Sequence, residues 1–333
     1  MRVSHELTVA VPASEVWRAL TDPELTRRFY YGMSVASAWK RGSSISYTFG
    51  ADQVGESGFV VDVVAGRRLS LDTRFLFDQS LAAEPSHETT WQLSAAGTGT
   101  RIRLTYDVPD AAPLAAKLLH DDGDVPLRGL RLVVDAGARA EFERLPEIGP
   151  VEVRDLSPAL VAEYQRFFDE DAFRDNPAWS SCYCSETNIG ESAARTSRDN
   201  RADMSRLVEA GEVTALLAYV DGRPVGWCNY GLTTHMAGVM SKLKLEAADH
   251  DGVGSVACFV IAAPYRRHGI ADMVLEAACS RLSAAGCRAV EAYPRQAESD
   301  ASSYRGPLEM YLRAGFEPYR EAGRNLIVRK SLA

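Results

Sequence analysis

The first half of the chain lacks cysteine, since all six cysteines lie between residues 182 and 287. No uninterrupted apolar stretch of the sequence approaches the roughly 20 residues that a membrane-spanning helix needs. The opening MRVSHELTVAVP also lacks the basic head and the long apolar centre of a secretory signal. We therefore expect a cytoplasmic protein with no membrane partner, whose cysteines are free thiols.

The chain has no excess of positive charge either. Its formal net charge is −8, with 16 basic and 20 acidic side chains in residues 1–147 and with 21 and 25 in residues 148–333. A protein that binds nucleic acid usually has a basic excess in at least one domain. The charge pattern therefore weighs against nucleic acid as a partner, although a local basic cluster can still bind one small anion.

A chain of 333 residues is too long for one ordinary hydrophobic core and suits two domains. The segment LPEIGPVEV, residues 145–153, contains Pro146 and the pair Gly149-Pro150, which break a preceding helical pattern. A strand and then a helix are predicted directly after this segment. We therefore predict domains at residues 1–147 and 148–333.

The first half is predicted to be a sheet with few helices. A first strand precedes a short helical region, a long helix closes the domain, and further strands are predicted at about residues 44–49, 57–64, 68–76, 87–94 and 100–108. The tripeptide Gly97-Thr98-Gly99 predicts a hairpin turn between the last two strands.

The segments VPASEVWRALTDPELTRRFY, GFVVDVVAGRRLSL and TWQLSAAGTGTRIRLTYDV resemble the START-like (SRPBCC) superfamily, in its branch of chaperone-ATPase-activator homologues. This resemblance implies a helix-grip fold, in which a curved sheet wraps the last helix and leaves a cavity for a hydrophobic ligand. The alternative is a filled core, because large aromatic side chains more often pack in a core than line a cavity. The large aromatic side chains of this half include Trp17, Trp39, Phe75 and Trp91. No catalytic chemistry is predicted for this half.

The second half contains a strand that runs into a polar turn before a helix. The strand GSVACFVI leads into APYRRHGIA, and a helical pattern follows from Ile270 until Gly286 stops it. Unpaired N–H groups and the positive end of the helix dipole meet at such a turn, which therefore suits a pyrophosphate. Gly269 allows the backbone to approach a ligand, and Ala271 adds little bulk.

The hexapeptide Arg266-Arg267-His268-Gly269-Ile270-Ala271 in this setting resembles the Arg/Gln-x-x-Gly-x-Gly/Ala loop of the GNAT acetyltransferase superfamily. RAVEAYP and MYLRAGFEPYRE follow it in the order of that family. The resemblance implies a mixed central sheet flanked by helices, acetyl-CoA as co-substrate, and direct acyl transfer to a small-molecule or peptide amine. It places the pyrophosphate at residues 266–271 and the pantetheine against the backbone of Phe259 and Ile261.

We therefore expect a two-domain chain of the α/β and α+β classes, with a START-like helix-grip domain followed by a GNAT acyl-CoA N-acyltransferase fold. By the same resemblance, Tyr311 in YLRAGF is the candidate acid for the CoA thiolate, or else a tyrosine that only packs beside the sulfur. Glu291 is the candidate general base, or else a solvated or salt-bridged strand residue. Many members of the family carry asparagine at the place of Ser303, so an acceptor-orienting role there is in doubt.

The segment WSSCYCSETN, residues 179–188, is predicted to contribute Cys182, Tyr183 and Cys184 to the acceptor site, because a similar segment lines the acceptor mouth in one branch of the family. The alternative is that these side chains only fill the interior of a loop. A closed zinc site needs about four ligands, and the sequence has no second paired set, so no metal is predicted.

Two functions remain open at this point. The first is an acetyl-CoA-dependent N-acetyltransferase whose START-like domain binds a hydrophobic ligand or serves as a scaffold. The second is a regulatory protein that senses CoA or binds a ligand without turnover. The sequence is compatible with a homodimer and does not identify the acceptor.

Overall fold

The computed structural model describes residues 1–50, 52–190, 195–294, 304–322 and 325–332. These residues form two compact units, each with a seven-stranded sheet. The first unit contains Met1–Phe142 together with residues 177–181 and 195–198, and the second contains most of the residues from Glu143 onwards. The domain boundary between residues 147 and 148 stays a prediction.

The first unit is an antiparallel sheet with helices packed on it. Its strands are β1 (Arg2–Val9), β2 (Met33–Ser37), β3 (Ser44–Phe49), β4 (Gln53–Val64), β5 (Arg68–Phe75), β6 (His87–Ala96) and β7 (Gly99–Asp107). Its helices are α1 (Ala13–Thr21), α2 (Pro23–Phe29), α3 (Gln79–Ala82), α4 (Pro113–Asp122), α5 (Val125–Val134) and α6 (Ala136–Ala140). The strands lie in the order β1-β7-β6-β5-β4-β3-β2. Trp91 and Phe75 are buried in the core, and Trp17 and Trp39 pack against it.

The single helix predicted to close this unit is wrong, because the chain forms two helices, α5 and α6, that are separated at Asp135. Between α5 and α6, Asp135 leaves the helical conformation with φ −102° and ψ 109°. One of its carboxylate oxygens accepts the N–H groups of Gly137, at 2.9 Å, and Ala138, at 3.3 Å. Such a side-chain cap satisfies the first N–H groups of a new helix, so it starts α6 instead of extending α5.

A buried carboxyl lies in the interior of the first unit. Glu56 on β4 is 1% exposed and accepts a hydrogen bond of 2.8 Å from the Tyr30 hydroxyl. Burial raises the pKa of Glu56, and the hydrogen bond from Tyr30 offsets only part of this effect. The folded state therefore binds the Glu56 proton more tightly than the unfolded state does.

The second unit surrounds a mixed sheet. Its strands are β8 (Val151–Asp155), β9 (Ala215–Val220), β10 (Arg223–Leu232), β11 (Val253–Ile261), β12 (Ala289–Ala292), β13 (Glu317–Ala322) and β14 (Asn325–Ser331). Its helices are α7 (Val161–Glu170), α8 (Ser185–Asn188), α9 (Ser197–Glu209), α10 (Ala237–Leu243), α11 (Ile270–Ala284) and α12 (Leu308–Arg313). The strand order is β13-β14-β12-β11-β10-β9-β8, and only β11 and β12 are parallel neighbours.

Helix α11 connects these two parallel strands, because parallel neighbours need a crossover. Its buried face packs on the sheet through Ile270, Val274, Ala278 and Leu282. The helix therefore begins close to the point where the chain leaves β11. This arrangement puts the sequence 266–271 at the end of the central strand of the sheet.

We predict that the substitution Glu56→Gln changes how stability depends on pH. A carboxyl whose pKa is raised on folding costs stability as pH rises above its unfolded value of 4.5. The glutamine side chain has no proton to lose, so the free energy of unfolding of the variant relative to the wild type should rise as pH increases above 4.5. Urea unfolding at several pH values checks this, and parallel curves for the two proteins would contradict it.

Candidate functional site

The site begins where β11 separates from β12. The parallel pairing runs only from Val253 opposite Ala289 to Val256 opposite Ala292. On the other side of β11, Tyr230 pairs with Val256 but Asn229 pairs with Cys258, which leaves Ala257 as an extra residue. A β-bulge of this kind bends a strand. The pairing with β12 stops because β12 ends at Ala292, whereas β11 stays paired with β10 as far as Ile261.

The backbone of β11 beyond the bulge points into this separation. The Ala262 N–H donates to the Val225 carbonyl at 2.9 Å. In an antiparallel ladder only every second residue of a strand bonds to a given neighbour. Ala262 bonds to β10, so Phe259 and Ile261 direct their N–H and C=O groups away from β10, to the other edge of β11. Both predicted pantetheine-pairing residues therefore face the edge that β12 leaves uncovered.

Each of these residues has one internal partner at this edge. The Phe259 N–H donates to the Tyr304 carbonyl at 2.6 Å. The Ile261 carbonyl accepts a hydrogen bond of 2.8 Å from Nε of Arg266. A ligand that pairs with the same groups has to replace these bonds.

The loop 266–271 leads from β11 into α11. Arg266 also pairs with the carboxylate of Asp175, so its guanidinium holds the loop to the protein. The His268 Nε2 lies 2.9 Å from the Leu145 carbonyl. Gly269 has φ +77°, and among the described residues other than its chain neighbours, no atom lies within 4 Å of the position that a Cβ would take there.

Open space therefore lies beside the start of α11. The first N–H groups of a helix have no intrahelical acceptor, and the helix dipole is positive at this end. Gly269 offers no side chain to cap α11. These features fit a pyrophosphate at 266–271, which is where the sequence predicted one.

Tyr311 on α12 lies beside the same edge. Its side chain is buried, with 1% exposure, and its ring packs near those of Phe259 and Phe316, at centroid distances of 6.3 Å and 5.3 Å. Its hydroxyl donates to the Arg305 carbonyl at 2.7 Å. Burial raises the pKa of Tyr311 well above its usual value, so the phenol stays protonated.

Glu291 lies in a buried charge cluster. It is fully buried, its Oε1 accepts a hydrogen bond of 2.9 Å from Nε of Arg329, and its Oε2 is 3.3 Å from Nε2 of the buried His250. The Nδ1 of His250 lies 2.8 Å from the Glu246 carbonyl. Both oxygens of this carboxylate face a guanidinium or an imidazole, so these contacts favour the salt-bridged alternative over a free general base. Ser303 lies outside the described residues.

The segment with Cys182, Tyr183 and Cys184 lies in a tightly bonded loop. Tyr183 and Cys184 have φ +45° and +60°, and the Tyr183 carbonyl accepts a hydrogen bond of 2.7 Å from the Tyr164 hydroxyl. Cys184 is 1% exposed, and its Sγ is 3.2 Å from the Thr187 hydroxyl. The loop is thus ordered by its own hydrogen bonds.

The two thiols of this loop have different environments. Burial would raise the pKa of Cys184, but hydrogen bonding to its sulfur, chiefly from Cys258 and Thr187, outweighs burial and lowers it. Burial raises the pKa of Cys182 to about 12. Because Cys258 lies next to the bulge, Cys184 marks where this loop meets β11.

A small pocket lies beside this meeting point. It is lined by the bulge residue Ala257 together with Glu186, Thr187, Gly238, Val239, Lys242, Leu243, Tyr293 and Arg305. The sequence predictions missed its charged members. Glu186 follows Cys184 by two positions in the predicted acceptor segment, so it could have been found, whereas Lys242 and Arg305 come from distant segments with no shared motif.

The described residues were compared with the requirements of a metal site and of a membrane-spanning helix. Within the described ranges, no group of three or more His, Cys, Asp or Glu side chains is arranged to hold a metal ion. No helix in the same part of the chain is both long enough and apolar enough to cross a membrane.

The chain has two compact units, and the second contains a central strand, a turn and a helix around residues 266–271. Residues 10–123 match the family model of Activator of Hsp90 ATPase homolog 1-like proteins, and residues 176–316 match that of the Acetyltransferase (GNAT) family. The chain therefore has an N-terminal domain of the first family and a C-terminal domain of the second. Both resemblances predicted from the sequence are confirmed.

Several solved structures are similar to part of the chain. They include CalU16 from Micromonospora echinospora, with 18% identity over 42% of this chain and 79% of that one and a TM-score of 0.32. A protein from Mesorhizobium loti has 22% identity, coverages of 40% and 96%, and a TM-score of 0.35. The Aha1 dimer from Colwellia psychrerythraea has 17% identity, coverages of 41% and 98%, and a TM-score of 0.34. No curated protein matches the chain.

We predict that Glu291→Gln lowers the free energy of unfolding and that its main effect is not on the rate of acyl transfer. Removing one partner of a buried ion pair commonly costs about 3–5 kcal/mol, because the other charge is left uncompensated. Urea unfolding should show a loss of this size, whereas Glu152→Gln, which breaks the exposed pair with Arg154, should change stability little. A stable Glu291→Gln protein that binds acetyl-CoA but has lost turnover would instead support the general base.

Proposed function

We propose that the second domain is an acetyl-CoA-dependent N-acetyltransferase, which transfers an acyl group directly from CoA to the amine of a small-molecule or peptide acceptor. The observation that carries this proposal is the separation of β11 from β12 after Val256, together with the open N-terminus of α11 beyond the end of β11. The match to the GNAT family model over residues 176–316 includes all of these elements.

In this proposal the loop 266–271 holds the pyrophosphate through the backbone N–H groups at the start of α11. The bonds from Arg266 to Ile261 and Asp175 keep the loop in place. The pantetheine would lie along the edge at Phe259 and Ile261, where the Phe259 N–H exchanges the Tyr304 carbonyl for the ligand.

Acetyl-CoA supplies the acyl thioester, and the chain supplies orientation and proton transfer. In this proposal, backbone N–H groups of β11 beside the bulge would bind the thioester carbonyl. Tyr311 is the proposed proton donor to the departing thiolate, which requires its hydroxyl to leave the Arg305 carbonyl. Its raised pKa keeps the proton on the phenol until that step.

We propose that the first domain serves as a scaffold or binds a hydrophobic ligand, and that the protein acts in the cytoplasm, which agrees with its six free thiols. The alternative, CoA sensing without turnover, is favoured by one observation: the carbonyls of Tyr304 and Arg305 already occupy the Phe259 N–H and the Tyr311 hydroxyl. Incubation with acetyl-CoA and a mixture of amines separates the two. Acetylated products in the mass spectrum support the enzyme, whereas bound but intact acetyl-CoA supports the sensor.

We predict that Gly269→Glu abolishes acetyl-CoA binding. A side chain at this position enters the open space beside α11, and its carboxylate repels a pyrophosphate. Gly286 offers a matched control at the other end of the same helix, because it also has a positive φ, +83°, and open space around it. Calorimetry should show lost affinity for Gly269→Glu and retained affinity for Gly286→Glu. Equal affinity in two folded variants would contradict the assigned loop.

We predict that Tyr311→Phe retains acetyl-CoA affinity and loses turnover. General acid assistance is commonly worth about 10²–10⁴-fold in rate, whereas a lost neutral hydrogen bond costs only about 1 kcal/mol of stability. Single-turnover rates with acetyl-CoA and with an activated thioester measure the difference, since a better leaving group needs less protonation.

The control for this variant is Tyr106→Phe, which removes a comparable buried bond to the Gly123 carbonyl, 3.0 Å long, in the first unit. It should lower stability and leave turnover unchanged. An equal rate loss for Tyr311→Phe with both thioesters, or no loss with either, would mean that Tyr311 only packs at the edge.

A further inference from the structure

The thiols of the second unit fall on two faces of its sheet. Three of them belong to the hydrophobic cluster around α11, namely Cys228, Cys279 and Cys287. Neighbouring residues of a strand point to opposite faces, so Asn229 and its antiparallel partner Cys258 turn to the face opposite Cys228. The sheet therefore separates Cys258 from the thiols around α11.

Two asparagines connect Cys184 to the face on which Cys258 lies. The Asn188 side chain donates to the Cys184 carbonyl at 2.8 Å, and its Oδ1 lies 3.5 Å from Nδ2 of Asn229. Asn229 is fully buried and pairs with Cys258 across the two strands. Residues that pair in this way have their Cβ atoms about 5 Å apart. Cys184 and Cys258 therefore approach the same asparagine, one from the loop and one from the strand.

The two sulfur atoms are hydrogen-bonded to each other. The Cys258 thiol donates to the Cys184 sulfur, and the Thr187 hydroxyl lies 3.2 Å from the same sulfur. Cys184 is 1% exposed and Cys258 is 4% exposed. Burial alone would raise the pKa of Cys184, but the hydrogen bonds at its sulfur lower it. The bond between the two thiols raises the pKa of Cys258, which keeps its proton.

The remaining thiols lack this advantage. Burial raises the pKa of Cys228 well above its usual value, and it also raises the pKa of Cys279 and of Cys182. The thiolate, and not the thiol, is the form that reacts with an oxidant. Cys184 is therefore the most reactive of these thiols, and Cys258 is the thiol in contact with it.

A small molecule can approach this pair. The pocket between α8, α10 and β11 has room for about one water molecule, and Thr187 is part of its lining. The hydroxyl of the same threonine lies against the Cys184 sulfur. Hydrogen peroxide is little larger than water, whereas a disulfide such as oxidised glutathione is far too large for this pocket. The surroundings of the pair therefore favour a peroxide as the oxidant.

We propose that Cys184 and Cys258 form a site of reversible oxidation by hydrogen peroxide, which joins them in a disulfide and ties the loop 182–188 to β11. The Cys184 thiolate attacks one peroxide oxygen, the O–O bond breaks, and hydroxide leaves. The Cys258 thiol then attacks the sulfenic acid, so that an S–S bond forms and the S–O bond breaks with loss of water. Two thiols and one peroxide thus give one disulfide and two waters, and a dithiol reverses the reaction by exchange.

The test treats the reduced full chain with hydrogen peroxide, alkylates the remaining thiols under denaturing conditions, and maps the peptides by mass spectrometry without reduction. We expect a peptide pair joined through Cys184 and Cys258 that disappears after treatment with dithiothreitol. Cys228 and Cys279 should be oxidised at least about tenfold more slowly, because reactivity follows the thiolate fraction. Oxidised glutathione at the same concentration should give less of the disulfide than peroxide does.

Three serine variants separate the roles of the thiols. Cys258→Ser keeps a hydroxyl beside Cys184, so oxidation should stop at the sulfenic acid of Cys184, which dimedone traps. Cys184→Ser should abolish both the sulfenic acid and the disulfide. Cys287→Ser is the matched control, because it removes a buried thiol of the cluster around α11 and should leave the disulfide unchanged. Thermal unfolding checks that each variant folds.

Mapping of the wild type decides the case even if a variant does not fold. A disulfide between Cys182 and Cys184, equal oxidation of Cys228 and Cys184, or a pair that stays reduced in peroxide would each overturn the proposal. A faster reaction with oxidised glutathione than with peroxide would also overturn it. None of these results depends on acyl transfer, because the test requires neither acetyl-CoA nor an acceptor.

Discussion

The proposed site depends on one constraint, which is that β11 carries an extra residue at Ala257 and parts from β12 at Val256. If the parallel ladder continued, strand hydrogen bonds would occupy the edge at Phe259 and Ile261. Because β12 ends at Ala292, that edge is left to other partners. One face of β11 packs on α11, and the other lies beside α8 and α10.

Backbone carbonyls of the chain itself accept hydrogen bonds at the same edge. The Tyr304 carbonyl accepts the Phe259 N–H, and the Arg305 carbonyl accepts the Tyr311 hydroxyl. Both residues precede Gly306, whose φ of +72° and close approach to Tyr311 suit only glycine. Binding along β11 would therefore exchange internal hydrogen bonds for equivalent ones to the ligand, which limits the net cost of opening the edge.

Much of the fold could be predicted because it rests on short-range patterns. The strand, turn and helix around 266–271 were predicted correctly from the sequence. Their signals, which are the apolar strand, Gly269 and the helical periodicity, lie within one short segment. The break at Asp135 was missed, although a capping aspartate is also a local signal. Its helical neighbours on both sides suggested one continuous helix.

The arrangement of the site could be predicted less well, because its contacts connect distant parts of the chain. Glu291 and its partner Arg329 are 38 positions apart, and no sequence motif indicates that they form a pair. The bulge depends on the register between β10 and β11, and both strands are buried on both faces, so no alternation of side chains specifies that register. The pocket charges come from Glu186, Lys242 and Arg305, which only the fold brings together.

The most direct test of the central claim is amide hydrogen exchange of the full chain with and without CoA. The account predicts that peptides covering residues 257–272 exchange more slowly when CoA is present, because the ligand covers the edge of β11 and the start of α11. Unchanged exchange in those peptides, or protection confined to residues 1–142, would contradict it.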